Sequence, residues 1–477
     1  MGRVRVVPYA LAAVFAALYA ALGVLRYARM QATAFDLGIF TQAVRSYAEL
    51  RAPTADLKGP GFPLLGDHFH PILATLAPAY AVLPSPVTLV VAQALLFAVS
   101  VIPVTRIGMH RLGTWPGALL GVAYALSFGI QQAMVFDFHE IAFAVPLLAF
   151  AAEALLRERW AAAMWWTLPL LLVKEDQAAL VVAVGGYLAL RGQWRRGAVL
   201  AGIGVAVGLL VLLVVIPAIN PAGEYPYLGT ADGGAANPLV RLFAPAAKWH
   251  LVYLLLLCVG FLALLSPLTL VAAVPLALRF WTEKPAYWAV GFHYNSVLMP
   301  LLFVAAVDGL ARLAGWLRAR PAVAPRVPWV TVAVAALVAG YAVVGTVRDQ
   351  PLGLLLDPGQ RRVSSTVVAA KRFLAATVPD GAVVAADNRI APHLVSRCTV
   401  RMFPDAVDPR GNPLPVPRPP DTEWIAVREP PGSFPLDPAA YRAYVATLPA
   451  RGYTLVGTEA GISVYRRAAP PAGGVSG

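Results

Sequence analysis

Residues 87–107 read VTLVVAQALLFAVSVIPVTRI, a run in which Arg106 alone is charged and stands next to the end. About 20 residues at 1.5 Å rise cross a hydrocarbon core of roughly 30 Å, so this stretch reads as a membrane-spanning helix. The pattern recurs on both sides of it. Upstream, Arg3 and Arg5 precede an apolar run at 6–25. That run exceeds the roughly 7–15 residues of a signal-peptide core, so it is expected to be an uncleaved first span. Downstream, further spans are expected at about 116–134, 141–156, 161–173, 178–190 and 198–216. After a polar loop come about 251–265, 268–280, 297–317 and 329–347, which brings the expectation to about eleven transmembrane helices. The shorter ones must tilt or be shielded within a bundle.

Composition points the same way. The 477 residues are 59% hydrophobic and only 13% charged, with a mean hydropathy of +0.67. Soluble domains carry about a quarter charged residues, so a soluble globular chain is excluded, as are disordered and collagen-like ones. Two cysteines, Cys258 in an apolar run and Cys398 in a polar tail, make no disulfide framework. The net charge of +13 is explained by location, because cytoplasmic loops retain Lys and Arg. With the N-terminus inside, the inner segments carry Arg3 and Arg5, then Arg106, His110 and Arg111, then Arg157 and Arg159. Arg191, Arg195 and Arg196 follow, and then Arg312, Arg318, Arg320 and Arg326. Only the turn at Ser266-Pro267 lacks a positive charge. Nucleic-acid binding is not required by this charge.

The outer segments are a long first loop at about 26–86, then 131–140, 174–177, 220–250, 281–296 and everything after Arg348. Outside the tail they hold nearly all acidic residues and every histidine except His110. The organisation expected is a helical membrane domain at 1–348, an extracytoplasmic α/β domain at 349–467 and a flexible end at 468–477. In the tail, 363–378 and 441–448 have helical patterning. Short strands are expected at 382–386, 399–403 and 424–427, and a terminal hairpin at 453–456 and 462–465. The proline-rich stretch 409–420 reads as a loop.

Ionisable residues beside apolar spans are costly without partners, so clusters of them are site candidates. Phe35-Asp36-Leu37-Gly38 opens an amphipathic helix expected to run to about Leu50 along the membrane surface. Asp36 is either a helix N-cap or a functional carboxylate. Gly66-Asp67-His68-Phe69-His70-Pro71 precedes a short apolar helix at 72–83. His68 and His70, two apart in an extended segment, suit a divalent metal or a phosphate, or are interfacial histidines bonded to carbonyls. Phe136-Asp137-Phe138-His139-Glu140 gathers oxygen and nitrogen ligands in Asp137, His139 and Glu140. The alternative there is a capping box of Asp137 and Glu140. In Lys174-Glu175-Asp176-Gln177, the lysine suits a lipid phosphate or an ion pair with a neighbouring carboxylate. Arg279, Lys284, His293 and Tyr294 fall on the same side and are supporting candidates.

In order and spacing these motifs resemble a bacterial multipass membrane family of unknown function, from about residue 6 to 467. More remotely, the layout is similar to the GT-C class of membrane glycosyltransferases, which use polyprenyl-phosphate sugars. That resemblance implies a GT-C-like α-helical polytopic fold and places Asp36 where the class carries its first-loop catalytic acid. Asp137 and Glu140 correspond to the acidic pair of the second outer loop. His68, His70 and Pro71 match a segment where related transferases have a basic residue and prolines. Histidines here replace residues that are often acidic or lysine, which is a departure from the class.

The function expected is transfer of a sugar from a polyprenyl-phosphate donor to a cell-envelope acceptor on the outer face of the plasma membrane. Asp36 is the expected catalytic base, and Lys174, Glu175, Arg279, His293 and Tyr294 the substrate-binding residues. His68, His70, Asp137, His139 and Glu140 are the candidate ligands of a divalent ion such as Mg, Mn or Zn. The rival class is a transporter or lipid-handling protein without covalent chemistry. Against it, the polar clusters lie at one surface and no inverted repeat is visible.

Overall fold

In the computed structural model of the protein, residues 2–227, 237–282, 284–409 and 412–468 are described. Most of the expected flexible end at 468–477, and Arg410 and Gly411 of the proline-rich stretch, lie outside them. The chain forms two compact units. One comprises 1–23, 68–73 and 90–358, and the other 24–67, 74–89 and 359–477.

The first unit is helical. Ten of the eleven expected spans fall on helical segments; in 251–265 the helix ends at Leu257, and a turn with left-handed Gly260 and Phe261 separates it from the short turn Leu262–Leu265. Among the described residues six helices are long and apolar enough to cross a membrane by themselves, such as Pro86–Leu112 and Trp194–Ile219. Trp160–Leu172, Ala246–Leu257 and Thr269–Trp281 are shorter apolar helices. Close helix approach depends on small residues, as bilayer-embedded bundles require. A Cβ added at Gly117 would meet the Met109 backbone nitrogen at 2.1 Å, and one at Gly121 would meet Thr105 Oγ1 at 2.1 Å. These two glycines, four apart, let the helix starting at Thr114 pack on Pro86–Leu112.

One end of this unit is held by buried carboxylates clamped between arginines. Asp308 is paired with Arg111 at 2.9 Å and Arg312 at 2.7 Å, and accepts a bond from Ser266 Oγ at 2.8 Å. Glu153 is paired with Arg106 and with Arg157, the latter at 2.9 Å. A carboxylate at this depth is tolerable only with such partners. Ser266-Pro267, the turn that lacks a cation of its own, is thus bonded to a residue that has two.

The second unit is built on a five-stranded sheet. Its strands are β1 (Val383–Ala386), β2 (Thr399–Met402), β5 (Trp424–Arg428), β6 (Tyr453–Glu459) and β7 (Ile462–Arg467). Their order is β2-β1-β5-β7-β6. β1 is parallel to both β2 and β5, and β7 is antiparallel to β5 and β6. The proline-rich stretch departs from the expected loop. Pro413–Arg418 is a strand, β4, paired antiparallel with β3 (Asp405–Val407) in a separate two-stranded ribbon. A strand with a single neighbour leaves one edge unpaired, which is where prolines are accepted.

The first loop contributes to this same unit. Its helix Ile39–Ala48 shares a core with the sheet, with Ala34, Ile39, Ala43 and Leu57 packed among residues such as Val384 and Val400. The helix was expected to lie along the membrane surface. Its polar residues instead bond the α/β domain, Gln42 Nε2 donating to Val400 O at 2.8 Å and Arg45 Nη1 to the carbonyls of Val395 and Cys398. The apolar face of the segment packs on protein.

Candidate functional site

The histidine, acidic and lysine motifs of the helical unit meet at loop–helix junctions around one cavity of about 220 Å³. This is below the roughly 300–1,000 Å³ of a pocket enclosing a drug-sized ligand, so it suits a headgroup rather than a whole lipid. Its lining includes His68, Lys174, Glu175, Asp176, Arg279, His293 and Tyr294, with Tyr225, Tyr227 and Tyr287 as further aromatics.

Glu175 is the anchor of one wall. Its Oε1 lies 2.6 Å from His68 Nδ1 and accepts from the Tyr225 hydroxyl at 3.1 Å, while Oε2 accepts from Phe69 N at 3.0 Å. The His68 ring stacks on Tyr227 with centroids 4.5 Å apart and planes 8° apart. Burial pushes the Glu175 carboxyl up, but His68 and Lys174 outweigh it and hold the group at about 2. His70 is buried behind this wall, and desolvation pushes its imidazole down to about 4 against the pull of Glu140 and Glu175.

The second wall is built on Glu140. Lys174 Nζ lies 3.0 Å from Glu140 Oε1, and His139 Nδ1 lies 3.0 Å from Oε2. Desolvation acts against both charges of the Glu140–Lys174 pair. Lys174 nevertheless holds Glu140 well below the usual carboxylate range, and Glu140 holds Lys174 well above the usual ammonium range. Of the two sequence readings of Lys174, the ion pair is formed, although with Glu140 rather than with its chain neighbours. His139 stacks on His293 with centroids 3.7 Å apart.

Arg279 closes the cavity with a different kind of partner. Its guanidinium donates to Tyr287 O at 2.8 Å, Tyr294 O at 3.1 Å and Asn295 Oδ1 at 2.9 Å, all neutral acceptors. Among the described residues it has no carboxylate ion pair. Two buried polar atoms of the lining, His293 Nδ1 and Gln177 Oε1, have no hydrogen-bond partner among the described residues. Each such atom costs about 1–3 kcal/mol, a cost that a polar ligand would offset.

Asp137 is not part of this convergence. It adopts a left-handed backbone, φ 71, and its carbonyl accepts from Gln93 Nε2 at 2.8 Å. The alternative reading, a capping box of Asp137 and Glu140, does not form, because His139 takes the N-cap position of the turn Glu140–Phe143 and no side chain caps it. Among the described residues no group of three or more His, Cys, Asp or Glu side chains is arranged to hold a metal ion. Glu140, one carboxylate of the candidate ligand set, is engaged by Lys174 and by His139.

Asp36 belongs to the second unit. It is not the N-cap; that position is Thr33, and Asp36 sits inside the π-helical turn Ala34–Gly38, where Thr33 Oγ1 donates to Asp36 Oδ2 at 3.3 Å. The lysine of the first loop, Lys58, is paired with Asp67 at 2.6 Å and also donates to Pro409 O.

Sequence reading missed Tyr225, Tyr227 and Tyr287. Aromatic residues in a loop have no periodicity to mark them, and Tyr225-Pro226-Tyr227 offered only a local clustering of rings. Gln93 and Asn295 were missed because single amides carry no charge to signal their cost of burial.

No curated protein matches this sequence. Among solved structures, the crystal structure of ArnT from Cupriavidus metallidurans bound to undecaprenyl phosphate is similar, with a TM-score of 0.59 at 15% identity. The match covers 97% of this chain and 98% of that one, and it bears out the GT-C-like fold. Residues 26–443 match the model of the predicted membrane protein family DUF2079, and the chain belongs to that family.

Proposed function

We propose that the protein is a membrane glycosyltransferase that moves a sugar from a polyprenyl-phosphate donor to an acceptor in the cell envelope. The observation that carries this reading is Arg279, a cavity cation whose partners are all neutral. A guanidinium so placed supplies the counter-charge for one phosphate group. Lys174 is already neutralised by Glu140 and adds a weaker field. The solved neighbour was crystallised with undecaprenyl phosphate, which supports a lipid-phosphate ligand for this fold.

In the proposed reaction, the phosphate of the donor lies against Arg279 and the rings of Tyr227, Tyr287 and Tyr294 present flat faces to the sugar. The base that takes the proton of the acceptor hydroxyl as its oxygen attacks the anomeric carbon is assigned to Asp36 on the strength of its sequence position alone, that of the first-loop acid of the GT-C class. The bond from that carbon to the phosphate oxygen breaks, and Arg279 stabilises the negative charge that develops there. Topologically, the N-terminus is cytoplasmic and the cavity opens on the outer face, as the distribution of arginines predicts.

The test supplies membranes containing wild-type protein or Asp36→Asn with undecaprenyl-phosphate sugars labelled in the sugar. Wild type transfers label to a water-soluble or envelope acceptor, and Asp36→Asn loses at least about 100-fold of that rate. Equal transfer by both removes Asp36 from the mechanism. Movement of intact donor across vesicles, with no covalent change, assigns the protein to the transporters instead.

A further inference from the structure

We infer that the C-terminal α/β domain sets the position of the first-loop carboxylate, with Asn388 as the positioning residue for Asp36. The inference rests on the role proposed above for Asp36, and every contact that supports it lies within the second unit.

Helix N-termini need acceptors for their first N–H groups, usually from the residue just before the helix. The turn Ala34–Gly38 does not get them locally, since Thr33 at its N-cap makes no capping bond. They come from a residue more than 350 positions away in the chain. Asn388 Oδ1 accepts from Ala34 N at 3.0 Å and from Phe35 N at 3.4 Å, and Asn388 O accepts from Ala34 N at 2.7 Å. The donor residues immediately precede Asp36, so whatever fixes them fixes its backbone.

Asn388 is itself held rigidly. It follows Asp387, which is buried beyond the end of β1, and Asp387 N donates to Ala426 O of β5 at 2.9 Å. Asp387 Oδ1 accepts from Arg389 N at 2.9 Å, and Asp387 O accepts from the amides of Ile390 and Ala391. The turn is therefore tied to the carboxyl end of β1 and to the middle of its parallel neighbour β5. On the helix side, the Phe35 ring meets Phe434 edge-on at 5.4 Å, and Leu37 is fully buried. A Cβ at Gly38 would meet Leu57 Cδ1 at 2.7 Å, so the turn also fits closely on that side. Asp36 thus sits between two residues that cannot shift independently of the sheet. A π-helical turn at a functional carboxylate is a recurrent use of that geometry.

Displacement of a reacting group by about 1 Å costs on the order of 100-fold in rate, with little effect on ligands bound elsewhere. The experiment uses full-length protein in membranes, undecaprenyl-phosphate hexoses and pentoses labelled in the sugar as donors, and native membranes as acceptor. Asn388→Ala is expected to lower kcat by about 10–100-fold with the donor KM within about 2-fold of wild type. Asn388→Asp keeps an Oδ1 acceptor and recovers kcat to within about 3-fold. In the Asp36→Asn background, adding Asn388→Ala costs nothing further, because residues that act as a unit are not additive. If Asn388→Ala yields no folded protein, Asn388→Ser, with its shorter acceptor, serves the same comparison. The inference is overturned if Asp36→Asn is inactive while Asn388→Ala matches wild type, if the loss lies in KM, or if Asn388→Asp is as impaired as Asn388→Ala. An active Asp36→Asn, or a wild type that transfers from none of the donors, overturns the catalytic reading itself and the inference with it.

Discussion

Lys174 and Arg279 both line the cavity, and they differ in what holds them. Lys174 faces the buried carboxylate of Glu140 at 3.0 Å, whereas Arg279 faces carbonyl and amide oxygens. Removing one partner of a buried pair strands the other charge at a cost of about 3–5 kcal/mol. Lys174→Ala is therefore expected to destabilise the protein by that order, and Glu140→Gln in the same chain to restore most of it. Thermal unfolding in detergent reads both effects; equal Tm values for Lys174→Ala and wild type would contradict the pairing. Glu175 gives a pH signature. Its carboxyl is held at about 2 in the fold and near 4.3 in an unfolded chain. Its stabilisation is fully present above the unfolded value and is lost as pH falls through the folded one. The Tm difference between wild type and Glu175→Gln should thus be constant above about pH 5 and shrink toward pH 2. His68, Lys174 and Glu175 were legible in the sequence because ionisable groups beside apolar spans need a reason to be there. The left-handed backbone of Asp137, φ 71, leaves no trace in the spacing Asp-x-x-Glu.

Helices and strands were more legible than their partners. Apolar runs marked the spans because the hydrocarbon core imposes a length. Glu153 and Asp308 could not be read in the same way, since the arginines that make them tolerable lie on other helices or one turn away. The strand Pro413–Arg418 was hidden by its prolines, which argue against a central strand but not against a two-stranded ribbon. Close packing of the helices also gives a direct prediction. Gly117→Val places atoms against the Met109 backbone and should cost about 1–3 kcal/mol or more. At the exposed Gly186 an added Cβ meets nothing within 4 Å, so Gly186→Val should cost far less. Yield of monodisperse protein after detergent extraction compares the two, and equal loss would contradict the close approach at Gly117.

The division into units cuts across chain order, because 24–67 and 74–89 group with 359–477 rather than with the helices that flank them in sequence. Hydropathy cannot reveal such a grouping, since it records which segments leave the bilayer and not what they pack against. The charge pattern does predict sidedness. Both native cysteines are buried, so a cysteine placed at Thr454 or at Arg318 can be labelled with little background. A membrane-impermeant maleimide should label Thr454→Cys in intact cells and Arg318→Cys only after permeabilisation; the reverse order would invert the topology. Sugar transfer as proposed requires the cavity of the helical unit to receive a lipid phosphate at Arg279. Binding of undecaprenyl phosphate and of undecaprenol to purified wild-type and Arg279→Ala protein tests this most directly. Wild type should prefer the phosphorylated lipid by at least about 10-fold, and Arg279→Ala should lose that preference while still binding both lipids weakly. Equal binding of the two lipids by wild type, or an undiminished preference in Arg279→Ala, would contradict it.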